Sequence, residues 1–140
     1  MIKYSTLPKN IEVLMNKAVN YLCSKTDVLF AYLFGSLARG KPLPLSDVDI
    51  AIYLSEGANI LQAKMDILGK LIEILETDEI DLVILNKAPL TLKMKILENK
   101  KVIADNSPFL RHRYESLTMR QYFDFSLREM DILERRFLLG

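Results

Sequence analysis

The spacing of apolar residues predicts alternating helices and strands, beginning with a helix whose first turn contains Pro8. The apolar face of that helix is formed by Ile11, Leu14, Met15, Ala18 and Leu22. Residues 28–34 are almost continuously apolar, which is typical of a central strand that is buried on both faces. Residues 48–54 instead alternate between two faces. The apolar face of this second strand carries Val48, Ile50, Ile52 and Leu54.

The second half of the chain continues the alternation. A helix follows from residue 61, and its inward face is predicted to be Leu61, Met65, Leu68, Leu71, Ile72 and Leu75. Residues 80–85 form the third predicted strand, and Pro89 opens the next helix. A short last strand at residues 102–104 completes a small sheet flanked by helices.

A helical tail is predicted from Ser107 and Pro108 to the end of the sequence. A single helix of that length is uncommon, so we expect it to bend or break. One apolar stripe of the tail consists of Tyr122, Phe125, Met130, Leu133 and Phe137. Phe123, Leu127 and Leu138 lie outside this stripe, so the tail has more apolar surface than one face requires. The surplus either packs on the same domain or binds a partner or a second copy of the chain.

Length and hydrophobicity favour a single domain of the α/β (α+β) class, with a small mixed β-sheet flanked by helices. The chain has 140 residues, of which 50% are hydrophobic, so it can bury a core without disulfides or structural metals. Residues 1–106 are predicted to form the core of this domain, and residues 107–140 its helical tail.

The composition also limits the location and the partners of the protein. A net charge of +1 gives no support for direct binding to nucleic acid, because neutralising phosphates requires clustered Lys and Arg. The single cysteine, Cys23, cannot form an internal disulfide and is predicted to be a small core residue. The N-terminal segment does not resemble a signal peptide, and no apolar run reaches the ~18 residues of a membrane span. We therefore expect a soluble, cytoplasmic protein that does not bind membranes.

The turn that ends the first strand carries the first candidate chemistry. Gly35 allows the main chain to approach a ligand closely, and Ser36 adds a hydroxyl group. If a short helix begins at Ser36, its free N–H groups would face the same ligand. Arg39 adds a positive charge, so this turn is predicted to bind phosphate.

Two aspartates follow in the alternating segment. Asp47 and Asp49 are predicted to share one face with Ala51 and Tyr53, opposite the aliphatic residues. Two carboxylates ~5 Å apart repel each other by roughly 3 kcal/mol at an effective dielectric constant of ~20. A divalent cation would offset that repulsion. The alternative is that Asp47 belongs to a plain turn and Asp49 is an exposed strand residue.

A third carboxylate joins these two if the third strand lies beside the second. Asp81 would then face the same cleft, whereas Asp78 and Glu79 belong to the preceding turn and are expected to be solvated. The only histidine, His112, has no Ser or Cys motif nearby. It fits an exposed position at the start of the tail helix better than a catalytic role.

These residues resemble the signature of the DNA polymerase beta-like nucleotidyltransferase superfamily, and most closely its minimal nucleotidyltransferases (MNT). The resemblance rests on the order and spacing Gly35-Ser36-x-Ala38-Arg39-Gly40-x5-Ser46-Asp47-x-Asp49. The strand that carries the third carboxylate in that group is resembled by Asp78-Glu79-Ile80-Asp81-Leu82-Val83. The resemblance covers most of the chain and implies a nucleotidyltransferase fold.

The resemblance implies a role for each candidate residue. Asp47, Asp49 and Asp81 would be the catalytic residues and the ligands of two Mg²⁺ ions. Asp81 would also accept the proton of the attacking hydroxyl group. ATP would be the nucleotide donor, and the residues that would bind it are Gly35, Ser36, Arg39 and Ser46.

The resemblance also implies a protein acceptor. In the MNT group the acceptor is a tyrosine of a HEPN ribonuclease toxin, which is AMPylated and thereby silenced. The arginine-then-histidine pattern of HEPN proteins is absent, since the nearest arginine before His112 is its immediate neighbour. The chain therefore resembles the antitoxin of such a pair. Two alternatives stay open: a non-catalytic antitoxin that neutralises its partner by binding, and a nucleotidyltransferase that modifies a small molecule.

Overall fold

The computed structural model describes residues 10–38 and 47–138. The helices are α1 (Ile11–Ser24), α2 (Gly35–Ala38), α3 (Ile60–Leu75), α4 (Leu90–Glu98) and α5 (Pro108–Leu138), with a short 3-10 segment at Leu85–Lys87. The strands are β1 (Val28–Phe34), β2 (Val48–Leu54), β3 (Ile80–Ile84) and β4 (Lys101–Asp105). The elements follow the predicted order, although β3 ends one residue earlier than predicted because Leu85 begins the 3-10 segment.

The four strands form one mixed sheet in the order β3-β2-β1-β4. β1 pairs antiparallel with both β2 and β4, whereas β2 and β3 are parallel. β1 lies in the interior of the sheet, and helices cover both of its faces, which explains its nearly continuous apolar sequence. The predicted class, a small mixed sheet flanked by helices, is confirmed.

Alternation along β2 separates the two faces of the sheet as predicted. Val48, Ile50, Ile52 and Leu54 are fully buried in one core with residues of α1 and α3. A second, mainly aromatic core on the other face joins the sheet to α4 and to the start of α5. Its fully buried members include Phe30, Tyr32, Ala51, Leu85 and Ile96. The two cores hold the sheet between two layers of helices.

The inward face of α3 differs from the predicted one. Its buried residues are Ala63, Ile67, Leu71 and Leu75. Leu61 and Met65, predicted to face the core, are 69% and 63% exposed. Apolar residues surround most of this helix, so their spacing alone is compatible with more than one buried stripe. The small side chain of Ala63 allows close approach to the sheet, which favours the observed stripe.

Two predictions about single side chains are also wrong. Cys23 is exposed rather than part of the core, because the buried face of α1 at this level is formed by Leu22. Glu79 is buried rather than solvated. Its backbone carbonyl accepts a hydrogen bond of 2.9 Å from the Val48 N–H, so the pairing of β2 with β3 already begins at this residue.

α5 is one continuous helix of 31 residues, so it does not break as it was predicted to do. Its first part is fixed to the sheet through Glu115, which is buried. The Tyr32 hydroxyl on β1 donates a hydrogen bond of 2.7 Å to Glu115. Arg111 and Lys100 form ion pairs with the same carboxylate at 3.3 and 3.4 Å. None of the helices in the described ranges is both long enough and apolar enough to cross a membrane.

The surroundings of Glu115 keep it ionised. Burial by itself would raise its pKa, but the hydrogen bond from Tyr32 and the charges of Lys100 and Arg111 outweigh burial and lower the pKa. Burial and the hydrogen bond to Glu115 raise the pKa of Tyr32, so the tyrosine remains the proton donor. Neighbouring His112 is exposed, as predicted.

Candidate active site

β1 leads directly into a tight turn at Gly35. The backbone φ angle of Gly35 is +74°, a left-handed conformation that residues with side chains rarely adopt. A Cβ atom at this position would overlap the carboxylate of Asp49, whose Cγ would lie only 3.0 Å away. Glycine is therefore required both for the turn and for the space that the Asp49 side chain occupies. The predicted short helix begins at Gly35 rather than Ser36 and lasts a single turn.

Asp49 and Asp81 are direct partners in the parallel register of β2 and β3. Side chains of such partners lie on the same face of the sheet, and neighbouring strands are about 4.8 Å apart. The two carboxylates therefore stand side by side on the face that α4 covers. Asp49 is half-buried, whereas Asp81, on the edge strand, is exposed. The expectation that the third strand lies beside the second is thus confirmed.

The turn and the acidic residues line one open cavity of about 430 Å³. The predicted residues found in its lining are Gly35, Ser36, Asp47, Asp49 and Asp81. The other two candidates, Arg39 and Ser46, lie outside the described residues. The geometry thus brings five of the candidate residues together, while their binding and catalytic roles stay predictions.

α4 forms a wall of this cavity that the sequence pattern did not assign to the site. Leu92 and Lys95, three residues apart on one side of the helix, line the cavity together with Asn99, the residue that follows the last turn of α4. That spacing is visible in the sequence, but it does not reveal which face of the sheet the helix covers. Lys95 brings a positive charge into a space lined by three carboxylates.

The acidic side chains suit a hard divalent cation, because carboxylate oxygens are the ligands that Mg²⁺ prefers. Within residues 10–38 and 47–138, however, no group of three acidic, histidine or cysteine side chains is arranged to hold an ion by itself. Mg²⁺ is usually bound through one or two carboxylates, with substrate phosphates completing its coordination. The pair Asp49 and Asp81, beside a turn suited to phosphate, fits that kind of site. Asp47 supplies a further carboxylate to the same cavity.

Comparison with known families identifies the same part of the chain. The model of the polymerase beta nucleotidyltransferase family matches residues 16–109. The match contains β1, β2 and β3 and every residue that lines the cavity. It ends at the start of α5, so most of that helix lies beyond the family match. No curated protein sequence matches the chain.

Solved structures of toxin-antitoxin complexes contain chains with a similar fold. One is a toxin-antitoxin with AMP-PNP, with a TM-score of 0.68 and 23% identity over 85% of this chain and 95% of that chain. Another is the complex of a tri-AMPylated Shewanella oneidensis HEPN toxin with its MNT antitoxin, with a TM-score of 0.62 and 21% identity over 90% and 95%. A minimal nucleotidyltransferase has a TM-score of 0.55 and 26% identity over 65% and 93%. At 23% and 21% identity, the similarity to the two toxin-antitoxin structures shows a shared fold and nothing more.

Proposed function

Because the chain belongs to the polymerase beta nucleotidyltransferase family, we propose that it transfers AMP from ATP to a tyrosine of a HEPN-type toxin. It would thereby act as the antitoxin of a toxin-antitoxin pair. The similar solved structures support this choice, since one contains AMP-PNP and another contains an AMPylated toxin together with its antitoxin.

The observation that carries the proposal is the meeting of Asp49, Asp81 and the Gly35 turn in one cavity. Adjacent carboxylates are costly to hold together without a counter-charge. Placing them beside a turn that suits phosphate makes sense for a reaction in which metal and triphosphate bind together. Two Mg²⁺ ions, when bound, would offset the carboxylate charge and stabilise the leaving pyrophosphate.

Each residue of the site is proposed to have its own role in the reaction. Backbone and side-chain groups of Gly35 and Ser36 would hold the β- and γ-phosphates, and Asp47 and Asp49 would be ligands of the two ions. Asp81, on the exposed edge strand, would accept the proton of the tyrosine hydroxyl. The tyrosine oxygen then bonds to the α-phosphorus while the bond from that phosphorus to pyrophosphate breaks. Arg39 and Ser46 are proposed to contribute further contacts to ATP.

A second candidate function is inhibition of the partner by binding alone. It is favoured by the exposed apolar side chains on the second half of α5, which would suit a docking surface.

Under either function we propose that the chain is divided into a core of residues 1–106 and a tail of residues 107–140. A cytoplasmic location also stays a prediction.

Mass spectrometry of the partner separates the two functions. Incubating a HEPN toxin with the protein, ATP and Mg²⁺ should add one or more adenylyl groups to the toxin, which should stay inactive after the antitoxin is removed. Asp47→Ala should abolish the mass change, because it removes a carboxylate from the cavity. Asp78→Ala, an exposed aspartate outside the cavity, should not.

The binding function has the opposite outcome. Inhibition would then occur without ATP, follow the amount of bound protein, and be reversed on separation. An unchanged toxin mass together with full inhibition by both the wild type and Asp47→Ala would rule out AMP transfer to that toxin.

A further inference from the structure

The second half of α5 carries large apolar side chains on its surface. Phe123, Met130 and Phe137 are 62%, 58% and 82% exposed. Thr118 is the last buried residue of the helix among the residues whose side chains are described. Large apolar side chains exposed in this number along one helix mark an interaction site rather than a solvated helix.

Five of the exposed apolar residues, together with the half-buried Ser126, follow a heptad pattern, which we call the α5 seam. Its positions are Met119, Phe123, Ser126, Met130, Leu133 and Phe137. They are separated alternately by four and three residues, and all but Ser126 are apolar, as in a helix that packs along another helix. At 3.6 residues per turn, the seam lies about a quarter of a turn around α5 from the residues that face the domain, Tyr114, Glu115 and Thr118. The apolar residues of the seam are 47–82% exposed, so the seam is open to a helix from another molecule.

We propose that this helix is α5 of a second copy of the protein, packed antiparallel along the seam. With the pairing centred on residue 128, Phe123 meets Leu133 of the other copy, and Met119 meets its Phe137. Ser126 then faces the long, flexible Met130 of the other copy, so a small side chain is matched with a large one. The paired segments, residues 119–137, overlap over about 28 Å of helix.

Charges beside the seam favour the antiparallel direction. In this register Arg120 of each copy lies beside Glu134 of the other, which gives two attractive contacts, and Glu129 faces its own counterpart once. Parallel packing would instead place Glu129 beside Glu134 of the other copy twice. Arg120 and Glu134 are both exposed, and neither forms an ion pair within the described part of the chain. Both are therefore available for contacts across the pair.

Two charge reversals test the register. Sedimentation equilibrium of the full chain, without ATP or toxin, should show a dimer. Arg120→Glu or Glu134→Arg alone should weaken it by roughly tenfold, because two attractive contacts become repulsive. The double variant exchanges both charges and should restore the wild-type dissociation constant. Arg113→Glu, an exposed change on α5 outside the paired segment, should have no effect, and circular dichroism should show that all variants are folded.

Three results would overturn the proposal. A chain that is monomeric at every concentration excludes self-pairing, and a dimer that neither single reversal weakens excludes this register. A monomer that binds a toxin through the seam, with binding lost in Met130→Asp, would assign the seam to that partner. Because the measurement uses neither ATP nor toxin, failure here leaves the proposed AMP transfer untouched.

Discussion

Replacing Gly35 with alanine tests how closely the turn and the acidic site depend on each other. Gly35 and Gly57 both have left-handed backbones, with φ angles of +74° and +84°. A Cβ atom added at Gly57 meets nothing within 4 Å, whereas one added at Gly35 overlaps the carboxylate of Asp49. Gly57→Ala therefore measures the backbone cost alone, and Gly35→Ala adds the displacement of Asp49.

The two costs differ enough to be separated. A left-handed residue with a side chain costs about 1–2 kcal/mol, so Gly57→Ala should lower the free energy of unfolding by that amount. Forcing a methyl group into an occupied space costs about 1–3 kcal/mol more, so Gly35→Ala should lose roughly 2–5 kcal/mol. In an Asp49→Ala background only the Cβ atom of residue 49 remains, at an ordinary 3.4 Å. There, Gly35→Ala should cost no more than Gly57→Ala.

Urea unfolding, followed by circular dichroism, supplies the four free energies of this double-mutant cycle. The expected coupling between Gly35→Ala and Asp49→Ala is about 1–3 kcal/mol. Calorimetric titration with ATP and Mg²⁺ should show weaker binding for Gly35→Ala and unchanged binding for Gly57→Ala. A coupling within about 0.5 kcal/mol of zero would refute the reasoning, because the two residues would then act independently.

Asp49→Asn removes a like charge beside Asp81, so the ligand-free protein should be equally or more stable. The same change should abolish most of the rise in melting temperature that Mg²⁺ and ATP cause in the wild type. Ligand-free destabilisation by several kcal/mol would contradict this. Since the fold lowers the pKa of Glu115, its charge stabilises the protein above the ordinary carboxyl pKa, and this contribution is lost as the pH falls through the lowered value. In urea unfolding, Glu115→Gln should thus lower the free energy of unfolding by about 1–3 kcal/mol at neutral pH and by less in acid. A loss that is the same at every pH would argue against a stabilising role of the Glu115 charge. In the same assay, the buried Leu71→Ala should lower the free energy of unfolding by about 2–5 kcal/mol, and the exposed Leu61→Ala by less than about 0.5 kcal/mol. Equal losses would mean that α3 turns a different face toward the sheet.

Strand positions and the faces of β2 could be predicted from the sequence because they depend on short-range patterns. A continuous apolar run and a strict alternation each have one interpretation, so β1 and the orientation of Asp49 follow directly. The pairing of Asp49 with Asp81 could only be stated conditionally, since the order of strands depends on contacts distant in sequence. The left-handed backbone of Gly35 was compatible with the sequence, but its contact with Asp49 required the structure.

Features that depend on how helices pack could not be predicted in the same way. Apolar residues surround α3, so the buried stripe through Ile67 is selected by the fit to the sheet. Lys95 became part of the site only when α4 was found on the face that carries the aspartates. The sequence also could not show whether the apolar residues of the tail pack on their own domain or on a partner. The structure shows α5 continuing past its contact at Thr118 with its apolar residues exposed.

Hydrophobic packing on one face of β2 determines where the charges lie on the other. Burial of Val48, Ile50, Ile52 and Leu54 contributes about 1.5–3 kcal/mol each, or roughly 6–12 kcal/mol together. A slip of one residue in the register would remove these side chains from that core and turn Asp49 into it, toward α1 and α3. That loss exceeds the roughly 3 kcal/mol of repulsion between two adjacent carboxylates. The fold can therefore hold Asp49 beside Asp81 before any ligand binds, and a cation bound with a triphosphate would then find both carboxylates already in place.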